Sequence, residues 1–169
     1  MHITFGGEFS MYEYNATVIK VIDGDTVDVD IDLGFGVCLK DERVRIMGID
    51  TPESRTSDKV EDLFGEAAKA RVKELLGEKV VLKTQINKNG EDMKGKFGRI
   101  LGDFSVFYAP SDSWRMLTDV LIEEGHAVAY FGGSKEEIAA KHLVNRTKLL
   151  REGVVAQADY DRELAKQNG

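Results

Sequence analysis

Thr26-Val27-Asp28-Val29-Asp30-Ile31-Asp32 alternates apolar and acidic residues without a break. Side chains along a β-strand alternate between its faces, so Val27, Val29 and Ile31 share one side and the three aspartates the other. The stretch therefore reads as a half-buried strand with one wet face. It also begins like an EF-hand loop, but Leu33 stands where that loop needs glycine and Leu39 where it needs glutamate. The strand explains the aspartates better, as a solvated, aggregation-resistant face.

Working outward, Thr17-Val18-Ile19-Lys20-Val21-Ile22 is β-branched and runs into the turn Asp23-Gly24-Asp25. Gly34 and Gly36 turn the chain into a third strand, Val37 to Ile49, where Val44 and Ile46 alternate with Arg45 and Met47. A helix comes next. Val60, Phe64, Ala67, Ala68, Val72 and Leu75 keep the i, i+3, i+4, i+7 spacing, Asp58 with Glu61 is its N-terminal cap, and Gly77 stops it. Lys79 to Thr84 and Gly98 to Tyr108 are the fourth and fifth strands, joined by a charged loop over 87–96. Two more helices are expected, one over 113–124 stopping at Gly125, the other opening at Ser134 with Glu137 and stopping at Gly153.

This order predicts an α+β protein: a five-stranded OB-fold-like β-barrel with three packed α-helices. Residues 1–13 are expected to be a flexible N-terminal segment, 14–153 the domain, and 154–169 a loose polar C-terminal tail.

At 169 residues the chain suits one domain with a real core, and its 42% hydrophobic and 31% charged residues are those of a globular protein. No apolar run reaches the length of a membrane span and no secretory signal is visible, so a cytoplasmic location and no membrane partner are expected. Cys38 is the only cysteine, which rules out an internal disulfide. One cysteine and the scattered His2, His126 and His142 cannot build a Cys/His zinc site. A metal here has to sit on carboxylates, which favours calcium, magnesium or manganese. The formal net charge of −7 argues against broad binding of nucleic acid, which normally depends on Lys and Arg.

Chemistry concentrates in two acidic turns and two arginines. The turns are Asp23-Gly24-Asp25-Thr26 and Asp50-Thr51-Pro52-Glu53; the arginines are Arg45, on the strand leading into the second turn, and Arg99, in Lys96-Phe97-Gly98-Arg99. Each feature alone is ordinary: Asp-Gly is a common turn, Asp50-Thr51-Pro52-Glu53 reads as a cap or turn, and strand arginines usually face solvent. His126 and His142 read as packing or surface residues, Trp114 as core, and Cys38 as a small apolar strand residue.

Together and in this order, 16–27, 44–53 and 96–99 resemble the staphylococcal nuclease family, the thermonucleases, and the resemblance extends over about residues 16–152. It implies calcium bound by Asp25, Asp50 and the backbone carbonyl of Thr51. It implies that Glu53 lies beside the attacking water, that Arg45 and Arg99 hold the scissile phosphate, and that Asp23 sits close by. Lys96 and Phe97 would touch substrate, and Tyr130 would stack on a base, with Phe131 as the alternative one residue on. The implied activity is calcium-dependent endonuclease cleavage of DNA and RNA to 3′-phosphate and 5′-hydroxyl ends, with single-stranded or flexible substrate preferred and the chain acting as a monomer. The chain departs from well-known members in its acidity, in a shorter and less basic loop after Glu53, and in Phe97 where they carry tyrosine.

The chemistry of the residues supports the same roles. A phosphodiester resists attack because its anionic oxygens repel nucleophiles. A hard cation offsets that charge, two guanidiniums can grip the remaining oxygens, and a carboxylate can orient water and take its proton. The competing function is a non-catalytic OB-fold module binding nucleic acid or protein; such a module would be expected to lose one or more of Asp25, Arg45, Asp50, Glu53 and Arg99, and all five are present.

Overall fold

The computed structural model describes residues 2–3, 11–85, 94 and 98–169. Among them the strands are β1 (His2–Ile3), β2 (Met11–Asp23), β3 (Thr26–Gly34), β4 (Val37–Ile46), β5 (Ile49–Asp50), β6 (Lys79–Gln85), β7 (Ile100–Tyr108), β8 (Ser113–Met116) and β9 (Val128–Ala129). The helices are α1 (Lys59–Leu76), α2 (Leu117–Glu124), α3 (Lys135–Arg151) and α4 (Gln157–Asn168).

Five strands close on themselves. β2 pairs with β3, β3 with β4, β4 in parallel with β7, β7 with β6, and β6 back with β2. The ring is the OB-fold-like, α+β arrangement that the element order implies. Its interior holds Val27, Val29, Val44, Ile46, Leu82 and Phe104, all buried, while Asp28, Asp30 and Asp32 point away. Two of those aspartates pair with cations across the hairpin, Asp28 with Arg43 at 2.8 Å and Asp30 with Lys40 at 3.4 Å. The period-two pattern thus sets both faces of β3.

α1 enters between β5 and β6. The Asp58 side chain accepts from the backbone N–H groups of Val60 and Glu61, and Gly77 ends the helix with φ at 65°. A second, smaller core lies under α1, where Val60, Phe64, Leu149 and Val155 are buried.

Several expectations give way. The strand expected from Ala16 begins at Met11, because β6 supplies a partner as far as Gln85. The segment 113–124 is not one helix: Ser113–Met116 pairs with β7, and the helix starts at Leu117. Trp114 is consequently 67% exposed and not core, since strand alternation, not a helical face, sets its direction. It meets the Phe107 ring edge-on, centroids 5.8 Å apart. Cys38 is exposed, at the outer end of a hairpin that extends beyond the ring. There is a fourth helix, α4, where a loose tail was expected. Tyr160 meets the Phe64 ring edge-on and Gln167 donates to Asp58 at 2.6 Å, so α1 provides the surface that 157–168 lacks alone. No helix among the described residues is long and apolar enough to cross a membrane.

Candidate active site

The two acidic turns meet at one edge of the ring. Between β2 and β3 the chain reverses over only Gly24 and Asp25, with Asp23 paired to Thr26. The Thr26 hydroxyl donates to Asp25 Oδ1 at 2.9 Å, and the Asp25 carbonyl accepts from the Ile46 N–H at 2.8 Å. The second turn leaves β5, which is held by β9 through the pairs Ile49–Ala129 and Asp50–Val128. Thr51 follows and is buried. A Cβ at Gly24 would stand 3.2 Å from Thr51 Cγ2 and 2.9 Å from Ala68 Cβ, so the absent side chain is what lets the turns and α1 approach.

Arg45 ties the turns together. Its guanidinium donates to the carbonyl of Ile46 and, at 3.0 Å, to that of Ile49, immediately before Asp50. The same Nη2 lies 3.4 Å from Asp25 Oδ2. Both partners are mostly enclosed, with side chains 22% and 15% exposed, so the pair is only partly screened by solvent.

Glu53 is set by α1. A Cβ at Gly65 would fall 2.2 Å from the Glu53 carbonyl oxygen, so the helix passes as close as a residue without a side chain permits. The Glu53 carboxyl has its pKa pushed up, first by partial desolvation, then by the negative charges of Asp25, Asp23, Glu61 and Asp50. Asp23 accepts from the Ser54 hydroxyl and lies 3.5 Å from Arg55 Nη2.

Arg99 directly precedes Ile100, which pairs with Val44 beside Arg45. It is half-buried and lines an open cleft of about 660 Å³ with Asp23, Thr26, Arg43 and Arg55. Asp25, Arg45, Asp50, Thr51 and Glu53 are thus gathered, and Arg99 opens on the Asp23 side. Lys96 and Phe97 lie outside the described residues. The Tyr130 N–H donates to Gly48 O at 2.9 Å, and its ring is 45% exposed next to the turn before Asp50. Phe131 is 88% exposed, its ring edge 3.3 Å from where a Gly48 Cβ would stand.

One residue at the site escaped the sequence. His142, on α3, places Nε2 2.6 Å from Asp50 Oδ2. The surface-or-packing assignment of His142 is therefore corrected: it touches a candidate ligand. No local signal could have found it, since the two residues lie 92 positions apart and their meeting depends on how α3 packs. His126 fits its packing role: it is buried, and desolvation pushes its pKa down.

Among the described residues no three His, Cys, Asp or Glu side chains stand together as a metal-binding group. Asp25 and Asp50 offer two carboxylates, and Thr51 a carbonyl, all hard oxygen donors. Such a set fits calcium, which accepts carbonyl, water and phosphate oxygens in flexible geometry, and suits a soft metal poorly. The crowding of negative charge around Glu53 is also what a cation would relieve.

The chain is similar in sequence to three nucleases. The chain is 34% identical over 121 residues to the Thermonuclease of Staphylococcus intermedius, covering 60% of this chain and 66% of that protein. It is 34% identical over 117 residues to Endonuclease YncB of Bacillus subtilis (strain 168), covering 69% and 48%. It is 31% identical over 124 residues to the Micrococcal nuclease of Shigella flexneri, covering 70% and 59%. The matches thus span between about half and two thirds of the relatives' own lengths. The family model described as Staphylococcal nuclease homologue matches residues 43–153, from the strand bearing Arg45 to the end of α3. With both acidic turns, Arg45 and Arg99 on one scaffold and that match over most of the chain, the protein belongs to the staphylococcal nuclease homologue family.

Proposed function

We propose that this chain is a calcium-dependent nuclease that hydrolyses phosphodiester bonds in DNA and RNA, leaving 3′-phosphate and 5′-hydroxyl ends. The observation that carries the reading is Arg45, which bonds the carbonyl before Asp50 while standing 3.4 Å from Asp25. One cation fixes two carboxylate-bearing turns relative to each other and still presents its guanidinium at their junction. The relatives' names, which are all those of nucleases, supply the reaction class.

In this reading Asp25, Asp50 and the Thr51 carbonyl would hold calcium, which would supply a hard Lewis acid that offsets charge on a phosphate oxygen and polarises phosphorus. Arg45 and Arg99 take the remaining oxygens, and their planar, permanently charged forks strengthen as negative charge grows in the transition state. Glu53 orients a water and accepts its proton. The water oxygen bonds to phosphorus as the bond to the 5′ oxygen breaks in line, and that oxygen takes a proton from solvent. Tyr130, with Lys96 and Phe97, steadies the adjoining nucleotide, and the small site favours single-stranded or flexible substrate.

The test is incubation with single-stranded DNA, duplex DNA and RNA, each in calcium and in chelator, followed by end-labelling. Cleavage is expected in calcium, to be lost with chelator, and to leave 5′-hydroxyl ends. Equal cleavage in magnesium without calcium, or 5′-phosphate ends, would overturn the assigned mechanism.

A further inference from the structure

β5 carries Asp50 to the candidate metal site but is only two residues long. It pairs with β9, also two residues long, through Ile49–Ala129 and Asp50–Val128. So short a ribbon gives the Asp50 backbone a place but leaves its side chain free to turn. The constraint on that side chain comes from α3, which packs against β9.

Leu149, near the C-terminal end of α3, is the one buried residue of that helix, so its hold on the ribbon is polar. His142 and Asn145 stand three positions apart and therefore on one helical face. Asn145 Nδ2 donates to the Ala127 carbonyl at 3.3 Å, directly before β9. His142 Nε2 lies 2.6 Å from Asp50 Oδ2, and the two side chains are 16% and 41% exposed. The enclosed imidazole is set by its helix, whereas the carboxylate is open on the side of the site, so the ring orients the carboxylate. An ionised carboxylate only accepts hydrogen bonds, so Nε2 carries the hydrogen and donates it. The bond takes Oδ2 and leaves Oδ1 for a cation. Asp25 is arranged alike: the Thr26 hydroxyl donates to its Oδ1, and Arg45 stands 3.4 Å from its Oδ2. Each candidate carboxylate ligand thus has its own donor, one from the next residue and one from 92 positions away.

We propose that His142 is a positioning residue of the metal site: by donating to Asp50 Oδ2 it holds the carboxylate in the orientation that binds calcium, and it makes α3 part of that site. The proposal rests on the reading in which Asp25, Asp50 and the Thr51 carbonyl hold calcium. It gives His142 no contact with substrate and no proton to transfer.

The experiment compares the full chain with His142→Phe, His142→Gln and Asn145→Ala. Phe keeps a ring and donates nothing. Gln keeps an N–H donor at a similar reach. Asn145→Ala removes the other polar tie of α3 and leaves Asp50 untouched. Two titrations with calcium are run on each: Tm without substrate, and cleavage of single-stranded DNA. The calcium affinity drawn from the rise in Tm is expected to fall about tenfold or more in His142→Phe and to return close to wild type in His142→Gln. The calcium concentration for half-maximal cleavage should rise in step. Asn145→Ala is expected to lower Tm at every calcium concentration and to leave the affinity unchanged. Equal affinity in His142→Phe and wild type, or a loss in His142→Gln or Asn145→Ala as large as in His142→Phe, would overturn the role and leave the calcium reading intact. A wild-type chain whose Tm and cleavage both ignore calcium would overturn the calcium reading and the role with it.

Discussion

Arg45 and Arg99 carry the same type of side chain under different constraints. Arg45 is bonded to two backbone carbonyls and paired with Asp25, so it holds the turns, and in the proposed reaction it also faces the phosphate. Arg45→Ala is therefore expected to lower the rate by at least about 10²-fold and to cost about 1–3 kcal/mol of stability. Arg99→Ala should lower the rate by at least about 10²-fold. Activity assays run beside denaturant titration check both, and near wild-type activity in either variant would remove that arginine from the site. Asp103 gives a residue-level prediction away from the chemistry. It accepts from the Thr118 hydroxyl at 2.6 Å and from the Phe104 N–H at 2.7 Å, at the start of α2. Burial pushes its carboxyl pKa up to about 6 from 3.8, against the opposing effect of those hydrogen bonds. The folded state thus holds the proton more tightly than the unfolded chain. Its contribution is fully present below about pH 3.8 and is lost as pH rises through about 6. Asn can accept from the Phe104 N–H and donate its amide to the Thr118 hydroxyl oxygen, all without ionising. Asp103→Asn should lack the fall in stability that this carboxyl causes over that interval, so the variant gains on wild type from pH 4 to 7 in urea titrations. A constant difference across that range would show that Asp103 does not titrate there.

The site depends on α1 as an element. The helix passes so close to the loop after β5 that Gly65 has no room for a methyl group against the Glu53 backbone. Gly65→Ala would ordinarily favour a helix interior. Here the added carbon must displace either α1 or Glu53, and a shift near 1 Å at a reacting group can cost about 10²-fold. The expected outcome is a rate loss of roughly 10- to 100-fold with a lower Tm and unchanged far-ultraviolet circular dichroism. Full activity with raised Tm would mean that the loop yields without consequence. α4 is also an element-scale effect. Residues 157–168 are polar and weakly patterned, and they are helical where Tyr160 and Leu164 find the surface of α1.

For the whole molecule the decisive quantity is charge. On the nuclease reading, a chain with net charge −7 cannot hold nucleic acid through a broad basic surface. Most of the described arginines stand beside a carboxylate, Arg45 among them, so contact with phosphate would fall to a few local cations: Arg45, Arg99, Lys94 and, by sequence, Lys96. If about 2–4 phosphate contacts form, log affinity should fall with log salt with a slope of roughly −1.4 to −3.6. Binding of Glu53→Gln to single-stranded DNA across salt, at saturating calcium, measures this slope. A value steeper than about −6 would reveal an extended cationic track that this charge distribution lacks.

The sequence by itself determined the ring strands, the inserted helix and the residues that make the acidic turns. Those features are local: alternation at Val27, Val29 and Ile31, the cap at Asp58, the stop at Gly77 and the motifs around Asp25 and Asp50 each act within a few residues. Only the tertiary structure decided what depends on a distant partner. Ser113–Met116 is a strand because β7 offers an edge, and Trp114 faces solvent as a result. α4 is ordered because α1 covers its apolar side. His142 reaches Asp50, and Arg146 lies over Phe64, because α3 packs against β9 and α1. Neither contact has a sequence period or motif, since each is set by the packing of elements whose residues lie tens of positions apart.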